Sequence, residues 1–119
     1  MRILVTGSRD WDDAAAIDEA IKDATQGISW HKVTIVVGDC PTGADRLADQ
    51  WALEREVDVE RHRAAWNTYG RAAGPIRNLQ MVNCGADLCL AFIRNGSRGA
   101  SGCADYAEAK GILVRRFTA

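Results

Sequence analysis

The segment Arg2–Trp11, with the sequence RILVTGSRDW, joins a strand-like apolar run to a turn that contains a glycine. The run Arg2–Thr6 has the aliphatic character of a strand that is covered on both faces. Gly7 then permits a tight turn and the close approach of a ligand to the backbone. Apolar residues recur at helical spacing in Asp12–Ala24, so the segment predicts a strand–turn–helix unit.

The same alternation continues along the whole chain and predicts parallel strands joined by right-handed helical crossovers. We therefore expect a single Rossmann-like α/β domain over residues 1–119, with three layers and a mainly parallel five-stranded sheet. The predicted strands are Arg2–Thr6, Lys32–Val37, Val57–His62 (more polar, hence near a sheet edge), Asp87–Ile93 and Ile112–Phe117. The predicted helices are Asp12–Ala24, Ala44–Glu56, Ala73–Asn83 and Cys103–Lys110.

The composition is that of an ordinary globular domain, with 47% hydrophobic and 26% charged residues. The apolar runs are far shorter than the roughly 20 residues that a membrane-spanning helix needs. Met1 leads directly into a strand without a secretory leader. A cytoplasmic setting without a membrane partner is therefore expected.

The charged residues give a net charge of −1, which provides no general positive field for DNA or RNA. A nucleic-acid partner is not expected. Twelve of the fifteen cationic residues are arginine, whose planar fork suits phosphate and carboxylate. A GC-rich genome that favours arginine codons would explain the same bias.

The cysteines contain no C-x-x-C pair and are far in sequence from the two histidines. We therefore predict reduced, mostly buried structural thiols and no metal site. The four cysteines are Cys40, Cys84, Cys89 and Cys103.

The first two loops combine glycine with groups that bind ligands. In the first, Gly7 is followed by the Ser8 hydroxyl and by Arg9, although a plain turn with an exposed arginine fits equally well. In the second, Thr42 and Asp45 have the spacing of a helix capping box, which accounts for Asp45 without a ligand. The free N–H groups of the same helix start also favour an anion, beside which Asp45 would hold a ribose hydroxyl. The candidates in this second loop are Gly38, Asp39, Thr42, Gly43, Ala44 and Asp45.

The third loop, Arg94–Gly102, has the glycine and serine content of a phosphate cradle, or of a flexible surface loop. It contains neither a Walker A sequence nor a G-x-G-x-x-G fingerprint. Its candidate ligand-binding residues are Gly96, Ser97, Arg98, Gly99, Ala100 and Ser101.

A fourth glycine-containing segment, Tyr69–Asn78, places Arg77 and Asn78 near the start of a predicted helix whose face points toward the other loops. A surface salt bridge is the alternative for Arg77. Trp66 and Tyr69 precede this helix and are either an aromatic wall for a base or ordinary packing residues. Trp51, on the apolar face of the second helix, is expected in the core.

These motifs resemble the YspA-type branch of the SLOG superfamily, whose Rossmann-like fold is shared with LOG "lysine decarboxylase-like" phosphoribohydrolases and DprA-type proteins. The resemblance rests on Thr6–Arg9, Gly38 with Thr42–Asp45, Ala73–Asn78 with Met81, and Ala91–Phe92 leading into Gly96–Ala100. It implies that the loops bind a nucleotide or a nucleotide-derived ligand. It also implies a homodimer or higher homo-oligomer.

The chain departs from the LOG enzymes, which cleave an N-glycosidic bond with an arginine and a glutamate. Arg77 looks like the counterpart of that arginine. After Gly99, however, the nearest carboxylate is Asp105, and no glutamate occurs before Glu108. An oxocarbenium-like transition state needs a nearby negative charge, which the Cys103 thiol supplies only when ionised.

Three functions therefore stay open. The first is a module that senses, carries or sequesters a nucleotide-derived signal, with no other cofactor. The second is a hydrolase of N-glycosidic or phosphoryl bonds, with Arg77 holding phosphate and Asp45, Asp39 or Asp105 as acid or base. The third is an assembly or nucleic-acid-associated protein, against which the near-neutral charge counts. The missing glutamate favours binding over turnover.

Overall fold

Five strands form one sheet in the order β3-β2-β1-β4-β5 in a computed structural model that describes all 119 residues. The strands are β1 (Arg2–Gly7), β2 (Thr34–Val37), β3 (Asp58–Arg61), β4 (Leu88–Ile93) and β5 (Leu113–Thr118). The helices are α1 (Ala14–Ala24), α2 (Gly43–Glu54), α3 (Trp66–Tyr69), α4 (Ala73–Asn83) and α5 (Arg98–Ala109). Every strand pair is parallel, which confirms the predicted Rossmann-like α/β fold.

The two faces of the sheet are buried separately, because side chains alternate along each strand. Ile3 and Val5 of β1 belong to the core under α1 and α2, which also contains Trp51, as predicted. Leu4 belongs to the core on the opposite face, together with Met81 of α4 and further residues of α5. The central strands are therefore covered on both faces, which is the predicted three-layer arrangement.

The chain reverses its direction across the sheet at β1, which pairs with β2 on one side and with β4 on the other. In parallel sheets, ligands bind beyond the carboxyl ends of the strands at such a reversal. The loops after β1, β2 and β4 all lie at this end. The more polar β3 is at the sheet edge, as expected from its sequence.

The α5 helix begins five residues earlier than the sequence indicates, at Arg98 instead of Cys103. Ser97 caps the helix, with its hydroxyl accepting a hydrogen bond from the Ala100 N–H at 3.5 Å. The low helix propensity of glycine hid this start, because Gly99 and Gly102 lie in the first turns. The connection from β4 is consequently the four residues Arg94–Ser97, so the expectation of a nine-residue loop over Arg94–Gly102 is wrong.

The cysteines are all free, as predicted, but they are less buried than expected. Cys89 and Cys103 are buried, Cys40 is partly exposed and Cys84 is exposed. The burial prediction is therefore wrong for Cys84, which lies at the end of α4. None of the helices has the length and hydropathy that crossing a membrane requires.

Gly7 lies where β1, β4 and α2 approach one another most closely. A Cβ atom at this position would stand 2.2 Å from the Ala44 Cβ and 2.9 Å from the Phe92 carbonyl oxygen. The second of these atoms is backbone, which cannot move aside without disturbing the sheet. Only glycine fits here. Because Gly7 has no side chain, the loop after β1 can approach the loop after β2 closely.

We expect Gly7→Ala to destabilise the fold by about 1–3 kcal/mol, because the added methyl group overpacks a backbone contact. Gly102→Ala is the matched control, since a Cβ at this helical position meets nothing within 4 Å. It is expected to stabilise the protein by about 0.5–1 kcal/mol through helix propensity. Urea denaturation of the three proteins measures both effects. Equal effects of the two substitutions would contradict the close approach at Gly7.

Candidate functional site

Two adjoining cavities lie at the carboxyl end of the sheet. The β2/β3 cavity has a volume of about 750 Å³ and is lined by Arg9, Gly38, Asp39, Cys40, Pro41, Thr42, Arg46, Asp49, Arg63, Ala64, Trp66 and Arg77. The β1/β4 cavity has a volume of about 400 Å³ and is lined by Thr6, Gly7, Arg9, Cys40, Asp45, Trp66, Arg71, Gly74, Pro75, Arg77, Asn78, Ser97, Gly99 and Ala100. They share the wall formed by Arg9, Cys40, Trp66 and Arg77.

Gly38, directly after β2, is hydrogen-bonded on both sides by charged groups. Its N–H donates to the Asp45 Oδ2 at 3.2 Å. Its carbonyl oxygen accepts a hydrogen bond from the Arg77 Nη1. A Cβ on Gly38 would stand 2.7 Å from the Arg77 Nη1 and 2.8 Å from the Asp45 Oδ2. The absence of a side chain at Gly38 therefore allows α2 and α4 to place a carboxyl group and a guanidinium against the backbone of one residue.

Arg77 is a buried cation without an acidic partner. Its side chain belongs to a residue that is only 8% exposed, and no carboxylate oxygen lies within 4.0 Å of its nitrogens. The Arg77 Nε donates to the Asn78 Oδ1 at 2.7 Å. The Nη2 group makes no hydrogen bond with the protein, and Arg77 lines both cavities. A buried charge that forms no direct ion pair is costly, so this guanidinium favours contact with an anion.

Asp45 is buried beside Arg77 and has one oxygen to spare. Its Oδ1 makes no hydrogen bond, while Asp45 itself lines the β1/β4 cavity. Burial raises the pKa of Asp45 to about 6, against the lowering effects of Arg77, the Gly38 N–H and Arg9. The free oxygen accepts a hydrogen bond when Asp45 is ionised and can donate one when it is protonated.

The arginines that lack acidic partners gather at the cavities. Six arginines form ion pairs with carboxylates: Arg2, Arg55, Arg61, Arg63, Arg94 and Arg116. Arg9, Arg46, Arg71 and Arg77 form none, and all four line a cavity. Arg98 and Arg115 also lack an acidic partner but line neither cavity. Codon usage does not account for this clustering, which gives the cavities a positively charged lining.

The structure brings most of the predicted ligand-binding residues into the cavities. Those that line one or both are Gly7, Arg9, Gly38, Asp39, Thr42, Asp45, Arg77, Asn78, Ser97, Gly99 and Ala100. The structure places the others outside the cavities: Ser8, Gly43, Ala44, Gly96, Arg98 and Ser101.

Three of these other residues hold the loops together. The Ser8 hydroxyl accepts a hydrogen bond from the Arg94 N–H at 2.7 Å, which ties the first loop to the end of β4. The Ser8 carbonyl oxygen accepts from the Ala44 N–H at 3.3 Å. Gly43 has a φ of +77°, and a Cβ there would stand 2.3 Å from that same oxygen. The N-terminus of α2 is thus partly occupied by protein.

The prediction that Thr42 and Asp45 form a capping box is wrong. Thr42 is the N-cap residue of α2, but its side chain makes no capping hydrogen bond. The Asp45 carboxylate turns instead toward Gly38, seven residues earlier in the chain. A sequence pattern cannot anticipate this partner, because the contact depends on how α2 packs against β2.

Asp105, the other candidate acid, lies outside both cavities. Its carboxylate accepts a hydrogen bond from Arg116 at 3.1 Å, and its side chain is 73% exposed. The α5 helix turns this residue toward β5, whereas Ser97, Gly99 and Ala100 face the β1/β4 cavity. Asp105 therefore has the position of a surface ion pair.

The sequence patterns did not identify several residues that line the cavities. Arg46 and Asp49 lie on α2, Arg63 follows β3, and Arg71 precedes α4. The position of Arg63 beyond the carboxyl end of a strand was a usable signal. Trp66 lies in the short α3 helix, which the sequence did not predict, and Arg9 stands over its ring at 5.6 Å from the ring centre. Tyr69 lines neither cavity.

The family described as "YspA, cpYpsA-related SLOG family" matches residues 1–69 of the chain. The chain belongs to this family. The match includes Arg9, Gly38 and Asp45, whereas Arg77 and α5 lie beyond it. The SLOG chain is also 40% identical to the "Gene 61 protein" of Mycobacterium phage D29, over 98% of this chain and 95% of that protein. No solved structure matches it.

The raised pKa of Asp45 predicts a specific dependence of stability on pH. The folded state holds the Asp45 proton up to about pH 6, whereas the unfolded chain releases it near 3.8. The free energy of unfolding should therefore fall as the pH rises between these values and stay level above them. Relative to Asp45→Asn, which has no titratable group, we expect a loss of about 2–3 kcal/mol.

Urea denaturation of both proteins between pH 4 and pH 8 measures this difference, and the comparison removes the contributions of all other groups. Stability curves that run parallel through this range would show that the pKa of Asp45 is not raised.

Proposed function

We propose that this SLOG protein binds a nucleotide or a nucleotide-derived ligand through its phosphate group in the two cavities. The observation that carries the proposal is Arg77, a buried guanidinium without a carboxylate partner that faces both cavities. Arg9 and Arg71, which also lack acidic partners, extend the positive surface around it. Membership of the SLOG family suggests a nucleotide-related role and supports the same conclusion.

The phosphate would bind between Arg77 and the start of α5. The first N–H groups of a helix have no partner within the helix, and the helix dipole favours a negative charge there. Ser97, Gly99 and Ala100 bring this helix end to the β1/β4 cavity, opposite Arg77. The guanidinium and the helix end together supply charged and neutral donors for phosphate oxygens.

The remaining parts of a nucleotide have matching groups nearby. The Asp45 Oδ1, buried and unpaired, suits a sugar hydroxyl as a hydrogen-bond acceptor. The ring of Trp66 is half-exposed between the two cavities and suits stacking with a base. Neither group repeats the role of Arg77, so a phosphate, a hydroxyl and a base each have a recognition element. A ligand that lacks the phosphate would lose the strongest of the three.

A second candidate function, hydrolysis of a nucleotide bond, is favoured by Asp45 alone. A carboxyl group whose pKa is about 6 can transfer a proton near neutral pH, which is what a general acid or base requires. Asp45 faces the same cavity as Arg77. We expect binding to be the main activity, since no other carboxylate lines the β1/β4 cavity.

The protein is expected to bind 5′-AMP at least tenfold more tightly than adenosine in isothermal titration calorimetry, because a charge-assisted hydrogen bond to phosphate contributes about 1.5–3 kcal/mol. Arg9→Ala and Arg77→Met should each remove most of this preference. Arg115→Ala is the matched control, because Arg115 is exposed, unpaired and outside both cavities. Circular dichroism shows whether each variant is folded.

Equal affinities for 5′-AMP and adenosine, or equal losses in Arg9→Ala and Arg115→Ala, would contradict the proposal. Chromatography of the same mixtures tests the second function, since release of free adenine would demonstrate turnover. Asp45→Asn should then abolish release while the protein still binds 5′-AMP.

A further inference from the structure

We propose that the β2/β3 cavity is a second anion site, so that the ligand carries two separated phosphate groups, as in a nucleoside 3′,5′-bisphosphate. This inference rests on the proposed function, because it assumes that the first phosphate binds at Arg77. It assigns a role to Arg46 and Arg63, which line the β2/β3 cavity alone.

Arg46 and Arg63 are available to a ligand. Arg46 lies in the first turns of α2 and has no carboxylate within 4.0 Å. Arg63 follows β3, and its side chain is 86% exposed. Its only partner is Asp39, through a single long contact of 3.4 Å. A phosphate can therefore replace this contact at little cost, since an exposed ion pair contributes little to stability.

The acidic residues of the cavity do not cancel this positive charge. Asp49 is buried, and Arg61 binds it with two hydrogen bonds of 2.7 Å each. Arg61 itself does not line the cavity, so the bond neutralises Asp49 from outside. With Arg77 assigned to the first phosphate, Asp39 is the one carboxylate that remains against Arg9, Arg46 and Arg63. The balance of charge in the cavity is positive and favours an anion.

The two anion sites are separated by a shared wall. Arg71 and the start of α5 belong only to the β1/β4 cavity, whereas Arg46 and Arg63 belong only to the β2/β3 cavity. Trp66 and Arg9 line both cavities and belong to this wall. A diphosphate keeps its two charges adjacent and fills one site, while a bisphosphate places a sugar between its phosphates and reaches both.

The test compares 5′-AMP, ADP and adenosine 3′,5′-bisphosphate by isothermal titration calorimetry at constant ionic strength, since screening alters all three affinities. We expect the bisphosphate to bind about ten- to a hundredfold more tightly than 5′-AMP, as one or two further charge-assisted contacts would give. ADP should gain less than the bisphosphate. An equal gain for ADP would contradict the separated arrangement.

The double variant Arg46→Ala/Arg63→Ala should reduce the preference for the bisphosphate over 5′-AMP to about threefold or less, because it removes the contacts that give the ten- to hundredfold gain. Arg115→Ala should preserve it. If 5′-AMP binds and the bisphosphate shows no advantage, or if the double variant keeps the advantage, the second site is refuted while the first stands. If no phosphate-bearing compound binds, the proposed function itself fails.

Discussion

The backbone of Gly38 holds the candidate site together. Its N–H donates to Asp45 on α2, and its carbonyl oxygen accepts from Arg77 on α4. Two helices on opposite faces of the sheet thus meet at the end of one strand. Any side chain at Gly38 would collide with both charged groups. The constraint fixes the position of a buried cation, and the other groups of the site are arranged around it.

The distribution of charge follows from this arrangement. Arg77 and Asp45 lie close to each other but do not form an ion pair, since each is hydrogen-bonded to the backbone of Gly38 between them. Both therefore keep unused hydrogen-bonding capacity, and both residues line the β1/β4 cavity. A direct ion pair would have satisfied the two side chains and left nothing for a ligand. The geometry favours recognition of a group that brings a negative charge and a hydrogen-bond donor together.

The sequence predicts the strand and helix order well because each apolar run is short and ends at a glycine or a polar turn. The sequence places the start of α5 too late. Gly99 and Gly102 lower the helix propensity of its first turns, although Ser97 caps the helix. The sequence also assigns Asp45 to a local cap, because its true partner is seven residues away and depends on packing between elements. The loops that form the site follow from the parallel topology, whereas the roles of single side chains within it do not.

We propose that Arg77 is the group that binds the phosphate. Guanidinium-selective NMR of ¹⁵N-labelled protein, titrated with 5′-AMP, tests it most directly. We expect the Arg77 Nε–H signal to shift and reach saturation, and the Arg116 signal, from a surface ion pair, to stay in place. Saturable binding that leaves the Arg77 signal unmoved would contradict the claim.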